Sequence, residues 1–520
     1  MSRRNGWATR AHVDYDVVVV GYGGAGAVAA IEAADAGARV LLVEKTRHLG
    51  GTTLLSSGFA RVASSAAGAA AYLTRTSGYR VGASLVDALA QGMTDVPAYL
   101  QRLAHPVNAA VRVKFGADQA ANEMEDLYDW PGREVLGWAG IEAVPGFDGY
   151  PWVQGGTRGQ LLIRVLEANV HGRPIDVWLE APAARLIVEQ GSVMGVQVER
   201  TDERIQVAAR GGVVLASGGF EFDHAMMQRF MELPILYPMG HAGNTGDGIR
   251  MAQQAGAALW HMWHVHGSYG FKLPGIPVAV RNPLGGARNP ARPLGWILVD
   301  QRGRRFTNEL PPAPQDTLVR ELAHLDAETG TFDRIPAWLI FDDAGRRLGP
   351  IGRPVGAQPG HFSAWSRDNT AEVERGWIVA ASTVEALAER IQLPADGLLA
   401  TIQDWNRAVR SGRDEAFGRP PGSLVPIATP PYYAIQAWPV CSNTQGGPVH
   451  DEHQRVLDAF DQPIPGLYAV GELGSFFGHI YLLGGNLTEG IVGGRIAGRH
   501  AARRAGGVAP ASGAAVVESQ

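Results

Sequence analysis

Gly21-x-Gly23-x-x-Gly26 stands between four consecutive valines, Val17 to Val20, and an alanine-rich stretch that runs to Ala36. No other feature limits the fold as much. A short unbroken β-branched run reads as a parallel strand buried on both faces. The first glycine then makes a tight turn, the second lets the backbone approach a pyrophosphate, and the third lets helix and strand pack closely. The N-terminus of the following helix adds amide donors and partial positive charge. Gly37 is a C-cap candidate, residues 39–43 form a second strand, and Glu44 at its end is placed to accept from ribose hydroxyls. Gly21, Gly23, Gly24, Ala25, Gly26 and Glu44 are therefore expected to bind a dinucleotide in a Rossmann-like α/β domain. A carboxylate at Glu44 disfavours a 2′-phosphate, so NADP is not expected there.

The next segment separates the remaining dinucleotides. Gly50-Gly51-Thr52-Thr53 and Ser56-Ser57-Gly58 follow the second strand. A plain nicotinamide dehydrogenase has no need of them, whereas a cofactor extending past its pyrophosphate does. Buried strands recur at 212–216, running into Ser217-Gly218-Gly219, and at 466–470, running into Gly471-Glu472. Ligands of open α/β sheets sit at such strand ends. Glu472 could bond a ribityl or ribose hydroxyl. These clusters explain why 67 of 520 residues are glycine, roughly twice the usual share. With no G-X-Y period, the excess marks close backbone approach rather than linkers or collagen.

Elsewhere, 84–103 and 158–170 read as helices, the second with Thr157 as N-cap, and 175–179 reads as extended. Residues 122–150, rich in Trp, Tyr, Gly and Pro, read as irregular. A hairpin turns at Gly191 within 185–199, and 246–258 is a small-residue helix. Between 264 and 430 prolines cluster and helices are expected at 384–391 and 396–408, which reads as an inserted domain. The expected organisation is a cofactor domain from 12–263 and 431–505, the insertion at 264–430, and a flexible tail at 506–520. The net charge is −5 with no basic block, so nucleic acid is not an expected partner. One cysteine, Cys441, excludes internal disulfides and Cys-rich zinc sites. No apolar run reaches the roughly 18 residues of a membrane helix. Arg3 and Arg4 have no apolar stretch behind them, so the expectation is a soluble, cytoplasmic protein of open oligomeric state.

Taken in order over 14–503, the motifs resemble the flavoproteins of the fumarate reductase, urocanate reductase and 3-ketosteroid Δ1-dehydrogenase group. The resemblance is carried by residues 16–26, Glu44-Lys45, Gly50 to Thr53, Ser57-Gly58, residues 216–221 and Asn244-Thr245-Gly246-Asp247-Gly248. Arg305-Phe306-Thr307-Asn308-Glu309, Gln445-Gly446-Gly447, residues 466–472 and Gly484-Gly485-Asn486-Leu487 complete it. The resemblance implies an α/β FAD domain built from both chain ends with an α+β cap inserted. It adds Lys45, Ser217, Gly218, Asp247, Gly471, Gly485, Asn486 and Leu487 to the cofactor residues, Asp247 as a structural acid. It also implies non-covalent FAD, because no histidine stands among residues 49–60.

Fumarate-type members carry an arginine before Leu-Gly-Gly-Asn, a histidine before Thr-x-Gly-Gly and an arginine after Phe-x-Asn-Glu. Here those places hold Leu482, Asn443 and the stretch Leu310-Pro311-Pro312-Ala313-Pro314, which argues against a small dicarboxylate. Gly478-His479-Ile480-Tyr481 is similar to the Gly-His-x-Tyr of the ketosteroid dehydrogenases, although Leu482 to Asn486 departs from their Pro-Gly-Pro-Gly. The resemblance assigns Tyr481, with the amide of Gly484 or Gly485, to the ketone oxygen. An uncharged phenol suits that oxygen in an apolar site. Tyr128 and Tyr269 are the two candidates for the base or acid. His264 and His266 alternate on one segment without an evident third metal ligand. His450 and His479 read as loop or flavin-rim residues, and Cys441 as buried and inert. The expected reaction is α,β-dehydrogenation of a cyclic or steroid-like ketone, with hydride passing to flavin N5 and an external acceptor taking the electrons. Enone or enoate reduction by an external donor is one alternative, and a non-catalytic flavin-binding protein is another.

Overall fold

A computed structural model describes residues 9–115, 127–153, 158–200, 203–282, 292–311, 314–353, 355–358 and 361–506. Thr157, most of the expected tail and part of the 122–150 segment lie outside them. The four valines end the strand Thr9–Val20, and both of its faces are covered. Val17 and Val19 enter one apolar core, Val18 and Val20 another. Val40–Val43 divides in the same way. A continuous apolar run is what a strand sandwiched between two layers requires.

Five parallel strands run in the order Pro463–Ala469, Glu203–Leu215, Thr9–Val20, Val40–Val43 and Ile175–Trp178. Arg455–Leu457 adds an antiparallel edge, and the hairpin Ala183–Glu189 with Ser192–Arg200 pairs onto Glu203–Leu215. Helix Gly24–Asp35 packs against the last helix, Gly485–Ala505. A side chain at Gly498 would meet the Ala29 carbonyl oxygen at 2.3 Å, so small residues set this contact. The two ends of the chain thereby close one domain. No helix among the described residues is long and apolar enough to cross a membrane.

The segment expected to be irregular contains a strand, Leu136–Ala143, flanked by Phe59–Ala63 and Ala110–Phe115. Its glycines made it look loop-like. In place they leave room for neighbouring rings: a Cβ at Gly137 would meet Phe115 at 2.4 Å, and one at Gly140 would meet Phe59 at 2.5 Å.

A second sheet orders Val280–Arg281, Val265–Phe271, Tyr432–Thr444, Ala337–Asp342 and Trp296–Val299, with Tyr237–Pro238 and Val379–Ala381 also pairing with Tyr432–Thr444. Tyr432–Thr444, which the sequence assigned to the returning cofactor segment, is therefore the central strand of the cap sheet. The paired prolines before it read as a boundary, but the strand that follows is 13 residues long and crosses the cap before re-entering the first domain. Helices Val384–Ile391 and Ala395–Ser411 cover the sheet's outer face.

Arg305 and Glu309, from the Arg-Phe-Thr-Asn-Glu motif, hold the cap together. Arg305 Nη2 donates to Glu309 Oε2 at 2.7 Å, and its Nη1 lies 2.8 Å from Asp414. Arg419 Nη1 donates to the Trp296 carbonyl at 2.8 Å and lies 3.4 Å from Glu309. Leu298 N donates to Glu309 Oε1 at 3.0 Å. All of these groups are buried, so Glu309→Ala would leave the Arg419 guanidinium without a carboxylate in the interior and Arg305 with Asp414 alone. It is expected to cost about 3–5 kcal/mol, read as a lowered unfolding midpoint.

Candidate active site

The strand ends converge on one continuous cavity of about 700 Å³. At one end are Gly21, Gly23, Gly24, Ala25 and Glu44, and Thr52, Thr53 and Ser57 follow. Ser217, Gly218, Gly471 and Glu472 line its middle, and Tyr481, Gly484, Asn486 and Leu487 its far part. Lys45, Gly51 and Asp247 also reach it. Gly26, Gly50, Gly58 and Gly485 do not line it but shape it. Gly21 has φ +106°, and a Cβ there would lie 2.5 Å from the Ala216 oxygen. A Cβ at Gly26 would fall 1.9 Å from the Gly21 oxygen. At Gly23, by contrast, the nearest atom would be the Gly50 oxygen at 3.9 Å, which leaves a cradle open to a ligand.

Glu44 accepts from Tyr22 N at 3.0 Å and from Thr46 N at 2.8 Å, which fixes its carboxylate at the end of the second strand. Lys45 Nζ donates to Asp247 at 2.5 Å and to Thr245 at 2.7 Å, joining two of the motifs. Ser217 Oγ and Glu472 Oε1 are buried and have no hydrogen-bond partner among the described residues. A cradle without side chains at one end, and these polar atoms further along, fit a long dinucleotide with hydroxyls between its two halves.

Glu221 and Glu472 form a buried carboxyl pair. Glu221 Oε2 and Glu472 Oε1 both lie within 2.7 Å of the point a Gly219 Cβ would occupy. Asn244 Nδ2 donates to Glu221 Oε1 at 2.8 Å. Burial pushes Glu221 up to about 8, and burial with the neighbouring carboxylates of Glu221 and Glu489 pushes Glu472 well above the usual range. The unfolded chain loses the Glu221 proton near 4.5 while the folded protein keeps it to about 8. The stabilisation is therefore full below 4.5 and is lost as pH rises through 8. Glu221→Gln should make the unfolding midpoint fall less steeply between about pH 5 and 8, measured by thermal unfolding across that range. Cys441 is buried beside this pair, and burial raises its thiol well above its usual value.

Tyr481 sits in the loop 476–484 that leads into the last helix. Ile480 N donates to the Thr76 carbonyl at 2.9 Å and Gly485 N to the Leu482 carbonyl at 2.6 Å. Gly484, at φ +81°, caps the helix. The Tyr481 ring stacks on His266 with centroids 4.0 Å apart and meets the edge of Phe477 at 5.4 Å. Asn486 N donates to its hydroxyl at 3.4 Å. Burial pushes the phenol far up, so it is a neutral donor at working pH. Asn443 joins this end: its Oδ1 lies 3.2 Å from His266 Nδ1 and its Nδ2 donates to Asn486 at 2.7 Å.

Neither Tyr128 nor Tyr269 lines the cavity. Tyr269 lies on the same strand as His266, but its ring is wholly buried in the cap core against Trp296, 5.8 Å away. Tyr128 stacks on Trp130 at 4.6 Å outside the cavity. The imidazole that does reach the Tyr481 end is His266. The alternation of His264 and His266 was its only trace in the sequence. His264 is occupied elsewhere. Its Nε2 faces Asp316 at 3.0 Å and its Nδ1 the Phe477 carbonyl at 2.5 Å. Asp316 belongs to the cap helix Pro314–Leu322, whose Arg320 also donates to the His479 carbonyl. That helix thus holds the loop carrying Tyr481. His450 bonds the Gly474 carbonyl at 2.9 Å and is a loop contact. Among the described residues no three His, Cys, Asp or Glu side chains converge on a metal position.

The fold and the cavity define a two-domain flavoprotein oxidoreductase. The chain belongs to the FAD binding domain family, which it matches over residues 16–487. It is 30% identical over 550 residues to the 3-oxosteroid 1-dehydrogenase of Mycolicibacterium smegmatis, covering 90% of this chain and 93% of that one. It is 28% identical over 498 residues to the NADH:fumarate oxidoreductase of Klebsiella pneumoniae, covering 95% of this chain but only 48% of that relative, about half its length. The 3-ketosteroid Δ1-dehydrogenase of Sterolibacterium denitrificans, solved with 1,4-androstadiene-3,17-dione, has a TM-score of 0.77 and 25% identity, covering 94% of this chain and 99% of that one. The cofactor is FAD, and the chain is a dehydrogenase or reductase acting on CH–CH groups. The reading as a non-catalytic flavin-binding protein falls away.

Proposed function

We propose that this enzyme removes two hydrogens across the CH–CH bond beside the carbonyl of a cyclic or steroid-like ketone. The observation that carries the reading is Tyr481: a neutral phenol lining the same cavity as the cofactor residues, with the Gly484 turn beside it. When bound, FAD supplies the two-electron acceptor. Gly23, Ser217 and Glu472 are the residues that would hold it, with Thr52 and Thr53.

Tyr481 Oη donates to the ketone oxygen. Charge that develops on that oxygen as the α-carbon loses its proton is then met by a donor already in place. The phenol stays protonated because burial raises it, so the bond survives at any working pH. His266 receives the α-proton. Its ring is held flat against Tyr481 and its Nδ1 against Asn443, which sets it beside the carbonyl rather than across the cavity. The other imidazole of the cavity, His241, is held by Gly243 N at 3.0 Å and packs near Lys45, at the cofactor end. Neither Tyr128 nor Tyr269 is among the residues that line the cavity, so the step is assigned to His266 instead.

The test is steady turnover with an artificial electron acceptor and a panel of cyclic ketones. The reading requires an enone two mass units lighter than the ketone. Turnover of enones with a reduced dye, and none of ketones with an acceptor, would reverse the direction. Coupling of these relatives' substrates to this chain belongs to the same panel, with steroid and monocyclic ketones side by side.

A further inference from the structure

Resting on the assignment of the α-proton to His266, we propose that Glu489 is a positioning residue. Through the side-chain amides of Asn486 and Asn443 it fixes which nitrogen of His266 carries the proton and which holds the lone pair. Glu489 stands near the start of the last helix, Gly485–Ala505. Its neighbours Asn486, Leu487, Gly490 and Ile491 line the cavity, and Glu489 itself does not. It is buried against the loop that carries Tyr481. Phe476 N donates to its Oε1, and Ser475 Oγ donates to its Oε2 at 2.8 Å.

A path of hydrogen bonds runs from there to the ring. Asn486 Nδ2 donates to Glu489 Oε2 at 3.1 Å. Asn443 Nδ2 donates to Asn486 Oδ1 at 2.7 Å, and Asn443 Oδ1 lies 3.2 Å from His266 Nδ1. Each amide has an oxygen that only accepts and an NH2 that only donates, so a polarity set at one end is passed to the other. A carboxylate cannot donate. Asn486 therefore turns its NH2 to Glu489 and its oxygen to Asn443, and Asn443 turns its own oxygen to His266. That oxygen can only accept, so the neutral ring carries its proton on Nδ1 and its lone pair on Nε2. When the α-C–H bond breaks, its electron pair passes into the enolate and the proton forms the Nε2–H bond. The imidazolium that results keeps its Nδ1–H on Asn443.

The other side-chain partners of Asn486 among the described residues do not make this choice. Gln445 donates from Nε2 to Asn486 Oδ1 at 3.3 Å and accepts at Oε1 from Nδ2 at 3.0 Å, so these two amides could turn over together. The Ser475 hydroxyl, 3.3 Å from Asn486 Nδ2, can donate or accept. Glu489 alone breaks the symmetry. Burial pushes its carboxyl up to about 8, so a protonated form is also present near neutrality. That proton goes to Ser475 Oγ, and Oε2 still accepts from Asn486, so both forms hold the same polarity.

The experiment uses the FAD-loaded enzyme with isotope-labelled histidine. Proton–nitrogen correlation spectra of the imidazole rings report the tautomer, and His266→Gln identifies the signals of that ring. The parent should carry the proton on Nδ1. In Glu489→Gln the backbone N–H of Phe476 claims the amide oxygen, so the new NH2 faces Asn486 and both asparagines turn over. The His266 proton should move to Nε2. Flavin reduction by a cyclic ketone should slow by about a hundredfold or more, with ketone affinity little changed. Adding Asn443→Asp to Glu489→Gln puts an accepting oxygen back against the ring and should return the proton to Nδ1, a rescue that a merely structural role for Glu489 does not produce. A parent ring protonated on Nε2, a Glu489→Gln ring still protonated on Nδ1, or an inverted tautomer at an unchanged rate overturns the proposal. Should Glu489→Gln not fold with its flavin, Asn443→Leu cuts the same path, and a ring still held on Nδ1 there overturns it as well. The spectra need no substrate. If the tautomer inverts as expected but no ketone bleaches the parent flavin, the relay stands and the ketone reading fails.

Discussion

Tyr481→Phe is expected to slow reduction of the bound flavin by a saturating ketone by about 10²–10³-fold, roughly 3–4 kcal/mol of lost transition-state stabilisation. The phenyl ring keeps the stacking on His266 at 4.0 Å and the edge contact with Phe477, so the loop should keep its shape. What disappears is one buried donor. Ketone binding should weaken far less than the rate falls, because the carbonyl oxygen gains most of its charge only as the α-proton leaves. Single-turnover absorbance at the flavin band separates the two effects. A variant that loses affinity but not rate would place Tyr481 in binding alone. His266→Gln should slow the same phase. Its dependence on pH should flatten, since the group that accepts the proton has been removed.

The second large effect separates two glycines of the same motif. Gly26→Val should give no folded flavoprotein. Even the first carbon of a side chain would stand 1.9 Å from the Gly21 oxygen, in the seam between helix and strand. Gly23→Val should fold, because its Cβ meets nothing closer than 3.9 Å, but the side chain would fill the cradle. FAD affinity should drop by a hundredfold or more, about 2.7 kcal/mol. Expression with far-UV circular dichroism reports the first outcome, and flavin retention on gel filtration the second. If Gly23→Val keeps its flavin, the cofactor does not lie where the cavity begins.

These residues also show what can be read from the chain and what cannot. The four valines, the spaced glycines and Glu44 act over about thirty residues, and local chemistry fixes them: a strand that must be buried twice, and a turn that tolerates no side chain. Their structure is the one the spacing implies. The proposed catalytic end of the cavity depends on pairings between distant segments. His266 faces Asn443, 177 residues away, only because Val265–Phe271 pairs with Tyr432–Thr444. From sequence alone Tyr269 was as good a candidate as any, and nothing in its neighbours says that its ring turns into the cap core. Glycines misled in the other direction at Leu136–Ala143, where the space they leave is filled by aromatic rings from the adjacent strands. The Arg-Phe-Thr-Asn-Glu motif, a marker of the family in the sequence, proves to supply a buried ion cluster that holds the cap, and its residues do not line the cavity.

The most direct test is an anaerobic titration of the FAD-loaded protein with a cyclic ketone, following the flavin absorbance while the product is identified. Stoichiometric bleaching by the ketone, with one equivalent of α,β-unsaturated ketone formed and both lost in Tyr481→Phe, is the result expected. Bleaching at the parent rate in Tyr481→Phe, or no bleaching by any saturated ketone while enones reoxidise the chemically reduced enzyme, would contradict the account.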